Sequence, residues 1–292
     1  MSTAVAELLD GPARAARTLA AFDHAAYLAV DADVIALVDR EAAALPNSVV
    51  VADPAPLRAI ARRGPVVVGA GRLTCGEVEV VVRRWWEPRP SLPVTTGNAL
   101  AAVARALPSR APGLPAGSNG AAQRLEEAVR RREPGAAADA AKALIGAGVG
   151  LTPAGDDLLA GLLAAACTLP DALTERCADT LPVVDAVATT CRELAVDRTP
   201  LVSAALLGHA ADGRPSAPAA RVLVALASGR GIDAAMARLA AVGGTSGRDL
   251  LAGIRLGTRL VLPPAPLGAS DAPGSPPAND PTVPDPLREE LP

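Results

Sequence analysis

The chain has 292 residues, with 28 Lys and Arg against 31 Asp and Glu, a net charge of −3 and a pI near 5.5; this balance excludes the basic face of a nucleic-acid-binding protein. Half of the residues are apolar, but they are mainly Ala, Leu and Val, so the core is expected to form from small, helix-favouring side chains that let helices approach closely. No run reaches the roughly 18 apolar residues that cross a membrane, and the first residues lack a charged-then-apolar leader, so no membrane partner is expected and the cytoplasm is the expected location.

Residues 1–24 are expected to be a helical segment. From Ala25 to Arg84 the chain reads as short strands: AAYLAV, DVIALV, NSVVVA, PVVVGAG, RLTCG and EVEVVVRR, separated by Asp, Pro-Asn and Gly turn signals. Val78, Val80 and Val82 share one face of the last run, the pattern of a half-buried strand. A small antiparallel β-rich unit, sheet or barrel, is expected over 25–90, with a helix at Pro56–Arg63. The run Trp85-Trp86-Glu87-Pro88-Arg89-Pro90 favours extended backbone and marks a junction.

Beyond the junction the period becomes helical. Helices are expected at Asn98–Leu107, Ala121–Arg132, Gly135–Ile145, Asp156–Cys167, Thr174–Leu194, Val202–Ala211, Ala217–Ala227, Ile232–Ala241 and Gly247–Leu260, with breaks at Gly or Pro. The fold class is therefore α+β, with the β-rich unit followed by a helical domain over 91–262. The proline density of 263–292 supports neither helix nor ladder, so that tail is expected to be disordered.

Two strings in the helical half repeat. Gly155-Asp156-Asp157-Leu158-Leu159-Ala160-Gly161 matches Gly247-Arg248-Asp249-Leu250-Leu251-Ala252-Gly253 at all but the second position, each preceded by glycines and a threonine: Gly148, Gly150 and Thr152, then Gly243, Gly244 and Thr245. We read a duplicated loop-to-helix element whose two helices start near one another about an approximate two-fold axis. Thr152 before Pro153 has the form of an N-cap, and Thr245-Ser246 can serve alike. Bare glycines let helix-start N–H groups approach a small anion such as phosphate or carboxylate. Carboxylates so close to an anion need a proton, a substrate N–H donor or a metal ion, and a carbamoyl-bearing substrate supplies the N–H donor. Asp156, Asp157 and Asp249 are thus the candidate catalytic groups, and Gly148, Gly150, Thr152, Gly155, Gly244, Thr245, Ser246 and Gly247 candidate substrate contacts. The competing reading is purely architectural: well-capped helices crossing closely at Ala160-Gly161 and Ala252-Gly253, with the aspartates complementing the helix dipole.

Other features point to little chemistry. Asp156 stands where a nucleotide-binding P-loop needs Lys, and Lys142, the only lysine, lies in an Ala-rich helical stretch. Cys75, Cys167, Cys177 and Cys191 show no CxxC spacing, so neither disulfides nor a zinc site are expected, and no cofactor or metal is called for. Thr199-Pro200 with Ser203 forms another helix start, where Arg198 either holds an anion or is a surface arginine. His24 and His209 have no triad partner and are expected to be structural.

The motifs GVGLTPAGDDLLAG at 148–161 and GGTSGRDLLAG at 243–253 resemble those of a bacterial family of uncharacterised domains that includes AllH, a subunit of the oxamate carbamoyltransferase of allantoin utilisation. The family also resembles this chain in a Thr199…Ser203 helix start and a β-rich N-terminal part, a likeness covering roughly Ala25–Leu262. The resemblance implies a subunit of an enzyme that phosphorolyses a ureido acid such as oxalurate to oxamate and carbamoyl phosphate, with partner subunits that resemble acyl-CoA synthetases. It implies Thr199 and Ser203 as further substrate contacts. Leu158 departs from the pattern where an aromatic is common, and the proline-rich tail is additional. A non-catalytic scaffold that binds a small anion and docks partner chains is the alternative.

Overall fold

The computed structural model describes residues 1–175 and 178–263; the tail assigned to disorder, all but its first residue, and Cys177 lie outside the described residues. The architecture is α+β, a curled seven-stranded sheet followed by a multi-helix region. The strands are β1 (Arg14–Ala21), β2 (Ala25–Val30), β3 (Asp33–Val38), β4 (Ser48–Val50), β5 (Val66–Gly69), β6 (Arg72–Cys75) and β7 (Val78–Val80), in the order β4-β3-β2-β1-β5-β6-β7. All pairs are antiparallel except β3 with β4, which run parallel.

The first 24 residues are mostly not helical. A single 3-10 turn at Thr3–Val5 leads into a short helix, α1 (Ala6–Asp10), and β1 follows as the strand that joins the two halves of the sheet. Its sequence, RAARTLAA, has one β-branched residue and no apolar alternation, so its conformation is imposed by pairing with β2 and β5 rather than by propensity. A bulge between Thr18 and Ala20 bends it. One face of the sheet packs with α1 and α2 (Ala55–Ala61) around Leu28, Ile35, Leu37, Val68 and Leu73. β3 is buried on both faces, its second face meeting α8, which accounts for its unbroken apolar run.

The helices are α3 (Gly97–Ala104), α4 (Asn119–Arg131), α5 (Pro134–Leu144), α6 (Ala154–Thr168), α7 (Leu181–Arg198), α8 (Leu201–Ala211), α9 (Ala217–Ser228), α10 (Ile232–Ala240) and α11 (Ser246–Val261). α7 begins seven residues later than the periodicity predicts, with Pro182 in its first turn, where a missing N–H costs nothing. α6 is buried on nearly every side, and its most extensive neighbour is α11. Glycines make that contact possible: a Cβ at Gly161 would overlap the Leu250 carbonyl oxygen, and one at Gly253 would overlap that of Leu158. Each glycine thus faces the carbonyl three residues before the other, so the two helices run parallel about a local two-fold axis.

Arg89 fastens the junction to the helices, donating to the Cys167 carbonyl (3.1 Å), the Asp212 carbonyl (3.1 Å) and the Asp171 carboxylate (2.7 Å).

Candidate functional site

The two-fold axis brings the duplicated loops together. Thr152 Oγ1 and Ser246 Oγ share a hydrogen bond of 2.9 Å between the starts of α6 and α11. The symmetry extends to the preceding helices: a Cβ at Gly155 would overlap the Leu144 carbonyl at the end of α5, and one at Gly247 that of Leu239 near the end of α10. The N–H of Gly155 donates to Ala147 O (2.8 Å) and that of Gly247 to Val242 O (3.1 Å). Gly155 and Gly247 are therefore packing positions. Gly148 belongs with them, since its φ of +131° suits glycine and a Cβ there would stand 2.6 Å from the Ala154 nitrogen.

Neither threonine caps its helix as expected. The residue preceding α6 is Pro153, and Thr245 before α11 makes no side-chain bond to the helix backbone. The Thr152 hydroxyl is instead shared with that of Ser246, beside Asp157, and the Thr245 hydroxyl lies beside the Asp249 carboxyl. Among the described residues the N–H groups of Leu151, Thr152, Gly244 and Thr245 make no backbone hydrogen bond, and Gly150 and Gly244 have open space where a Cβ would point. The mouth of the site thus offers free N–H groups beside three hydroxyls.

The floor holds the carboxyls. Asp157 and Asp249 occupy equivalent positions in the two helices, are 6% and 0% exposed, and each has one buried oxygen, Oδ2, without a hydrogen-bond partner among the described residues. Such an orphan normally signals a missing partner. Burial pushes the Asp157 carboxyl up to about 8; the Asp249 and Asp156 carboxyls push the same way against the Ser246 and Thr152 hydroxyls. Asp249 is also raised by burial, opposed by the Gly113 N–H and the Thr245 hydroxyl.

Asp156 is engaged differently. Its Oδ1 accepts from the Gly146 N–H (2.8 Å), and its Oδ2 from the Ser203 hydroxyl (2.7 Å) and the Thr199 hydroxyl. Thr199 and Ser203 therefore converge on Asp156, joining the start of α8 to that of α6, and do not reach the mouth where Thr152 and Ser246 meet. Arg198 donates to the Lys142 carbonyl (3.2 Å). His24 pairs with Asp39 at the surface (2.8 Å), and His209 is held below its ordinary pKa by burial.

One element is absent from the candidates drawn from the sequence. The Gly113 N–H donates to Asp249 Oδ1 at 2.9 Å, and a Cβ at Gly113 would overlap the Thr245 hydroxyl oxygen. The segment Pro108–Pro115 thus closes over one carboxyl; its only sequence signal is three prolines around a glycine. Among the described residues no group of three or more His, Cys, Asp or Glu is arranged to hold a metal ion.

Fold and site together define an α+β protein with a duplicated, two-fold-related pair of helix starts over two buried carboxyls. The family model described as oxamate carbamoyltransferase subunit AllH matches residues 144–258, from the end of α5 through most of α11. That match bears out the family resemblance read from the two glycine motifs, over a shorter stretch than the motifs and strand pattern suggested. No curated protein and no solved structure matches the chain.

Proposed function

We propose that this chain is a subunit of a carbamoyltransferase-type enzyme that binds a small ureido acid such as oxalurate, together with phosphate, between the starts of α6 and α11. The observation that carries the reading is the pair of equivalent buried carboxyls, Asp157 and Asp249, each with an unpartnered oxygen beneath loops with free N–H groups. The N–H groups after Gly150 and Gly244 suit phosphate or carboxylate oxygens. The carboxyls suit the N–H groups of the ureido end.

The chemistry follows from the protonation state of Asp157. With its pKa near 8 it is mostly neutral at pH 7 and can donate a proton as well as accept a hydrogen bond. In phosphorolysis an oxygen of hydrogen phosphate bonds to the ureido carbonyl carbon, and the bond from that carbon to the oxamate nitrogen breaks. The departing nitrogen requires a proton, which Asp157 supplies and regains from the phosphate, so oxamate and carbamoyl phosphate leave with atoms and charge balanced. Asp249 orients the ureido –NH₂. Val149, 92% exposed at the tip of the first loop, is an apolar contact for a partner subunit, of the kind that resembles an acyl-CoA synthetase. The domain division also remains our proposal: a β-rich unit over 25–90 and a helical unit over 91–262.

The test is calorimetric titration of oxalurate and of inorganic phosphate into the full chain, as wild type, Asp157→Asn and Asp249→Asn. Each substitution keeps the size and replaces an acceptor by a donor, so a substrate N–H left facing a donor, about 1–3 kcal/mol, should weaken oxalurate roughly fivefold to a hundredfold. Equal binding by all three proteins, or no binding by the wild type, overturns the reading in favour of a scaffold.

A further inference from the structure

Outside the carboxyl pair the helical region holds a half-enclosed cavity of about 620 Å³. Its floor is Leu158 of α6 and Leu256 of α11, one wall is Asn119 and Gln123 of α4, and its roof is the Gly113 segment, contributing Arg110 and Leu114. Neither Asp157 nor Asp249 lines it.

Three properties of the lining define what fits. The first is size: pockets for drug-sized ligands run about 300–1,000 Å³, and a three-carbon ureido acid leaves most of this space empty. The second is charge. Glu126, the acidic residue of the lining, is already paired with Arg259, whereas Arg110 makes no ion pair among the described residues. A guanidinium without a counter-ion at the rim of a cavity selects an anion, and its fork geometry matches phosphate or carboxylate. The third is hydrogen bonding. Asn119 and Gln123 stand four residues apart on one exposed face of α4, and neither side-chain amide is bonded to another of the described residues, so each offers a donor and an acceptor above an aliphatic floor. A flat heterocycle bearing amide-type edges satisfies both.

We propose that this cavity is a second binding site, for an organic anion of mononucleotide size, with Arg110 holding the phosphate and Asn119 and Gln123 meeting the edge of the ring. The site is distinct from the carboxyl pair and stands whether or not a ureido acid binds there. Its roof carries the Gly113 N–H that Asp249 accepts, so an occupant bears on the segment closing that carboxyl.

The experiment titrates AMP, GMP, CMP and UMP, each beside its unphosphorylated nucleoside, into the full chain as wild type, Arg110→Ala and Asp157→Asn. Arg110 is exposed, so its removal leaves the fold intact, which circular dichroism checks. At least one nucleotide should bind saturably at one site per chain. Its nucleoside and the Arg110→Ala protein should each bind at least about tenfold more weakly, the loss of one charge-assisted contact, while Asp157→Asn should bind as the wild type does. Absence of saturable binding by all four nucleotides overturns the proposal, as does binding that Arg110→Ala leaves unchanged. Loss of oxalurate binding in Asp157→Asn alongside intact nucleotide binding separates the two sites.

Discussion

The carboxyls of this chain show how environment, rather than residue type, divides labour. Asp156 and Asp157 are neighbours on one helix, yet Asp156 accepts three hydrogen bonds while Asp157 keeps an unpartnered buried oxygen. The sequence marks both as candidates and cannot separate them, because the donors to Asp156 come from residues 10, 43 and 47 positions away. Gly113 is less legible still: its bond to Asp249 spans 136 residues, and no local pattern encodes it. The raised pKa of Asp157 has a consequence for stability. Below about pH 4 the folded and unfolded chains both hold this proton; between there and about 8 the unfolded chain has released it while the folded chain retains it. The folded state therefore loses stability as pH rises through that window and levels off above it. Asp157→Asn removes the dependence, so urea unfolding at pH 5 and pH 8 should show the variant gaining at least about 1 kcal/mol on the wild type between the two. An equal pH slope in both proteins would place the Asp157 carboxyl in its ordinary range.

At the scale of elements, helices were more legible than strands because a helix of ten or more residues repeats its apolar face several times. Apart from α7, the helices of 91–262 fall close to the predicted spans, as does α2. β1 escaped because its residues favour helix and its partners lie on either side in the sheet, one of them reached only after about fifty residues. The duplicated helix start was visible as a repeated string, but whether its glycines serve a ligand or packing was not. The structure divides them: Gly155, Gly161, Gly247 and Gly253 press on backbone carbonyls, while Gly150 and Gly244 face open space. Gly253→Val should therefore cost about 1–3 kcal/mol or more in urea unfolding, because a backbone carbonyl cannot turn aside as a side chain can. Gly208→Ala is the contrast. Gly208 lies within α8 with nothing near its absent Cβ, so the change should stabilise by about 0.5–1 kcal/mol. Similar effects of the two substitutions would refute the close crossing of α6 and α11.

Across the whole molecule, two apolar cores form, one under the sheet and one among the helices, and Arg89 links the junction to the helical side. No helix among the described residues is long and apolar enough to cross a membrane. The change from strand to helical pattern near Trp85–Pro90 was readable because period two gives way to period 3.6 there. The meeting of two loops about ninety residues apart is readable as well, because the repeated string implies a two-fold pair of helix starts; the Gly113 segment that closes over one of them is not. That convergence is the centre of the functional account. It is tested most directly by hydrogen exchange on the full chain with and without oxalurate and phosphate, followed peptide by peptide. The account predicts that residues 148–154 and 243–249 gain protection together and at the same ligand concentration; protection of one loop alone, or of neither while ligand binds elsewhere, would contradict it.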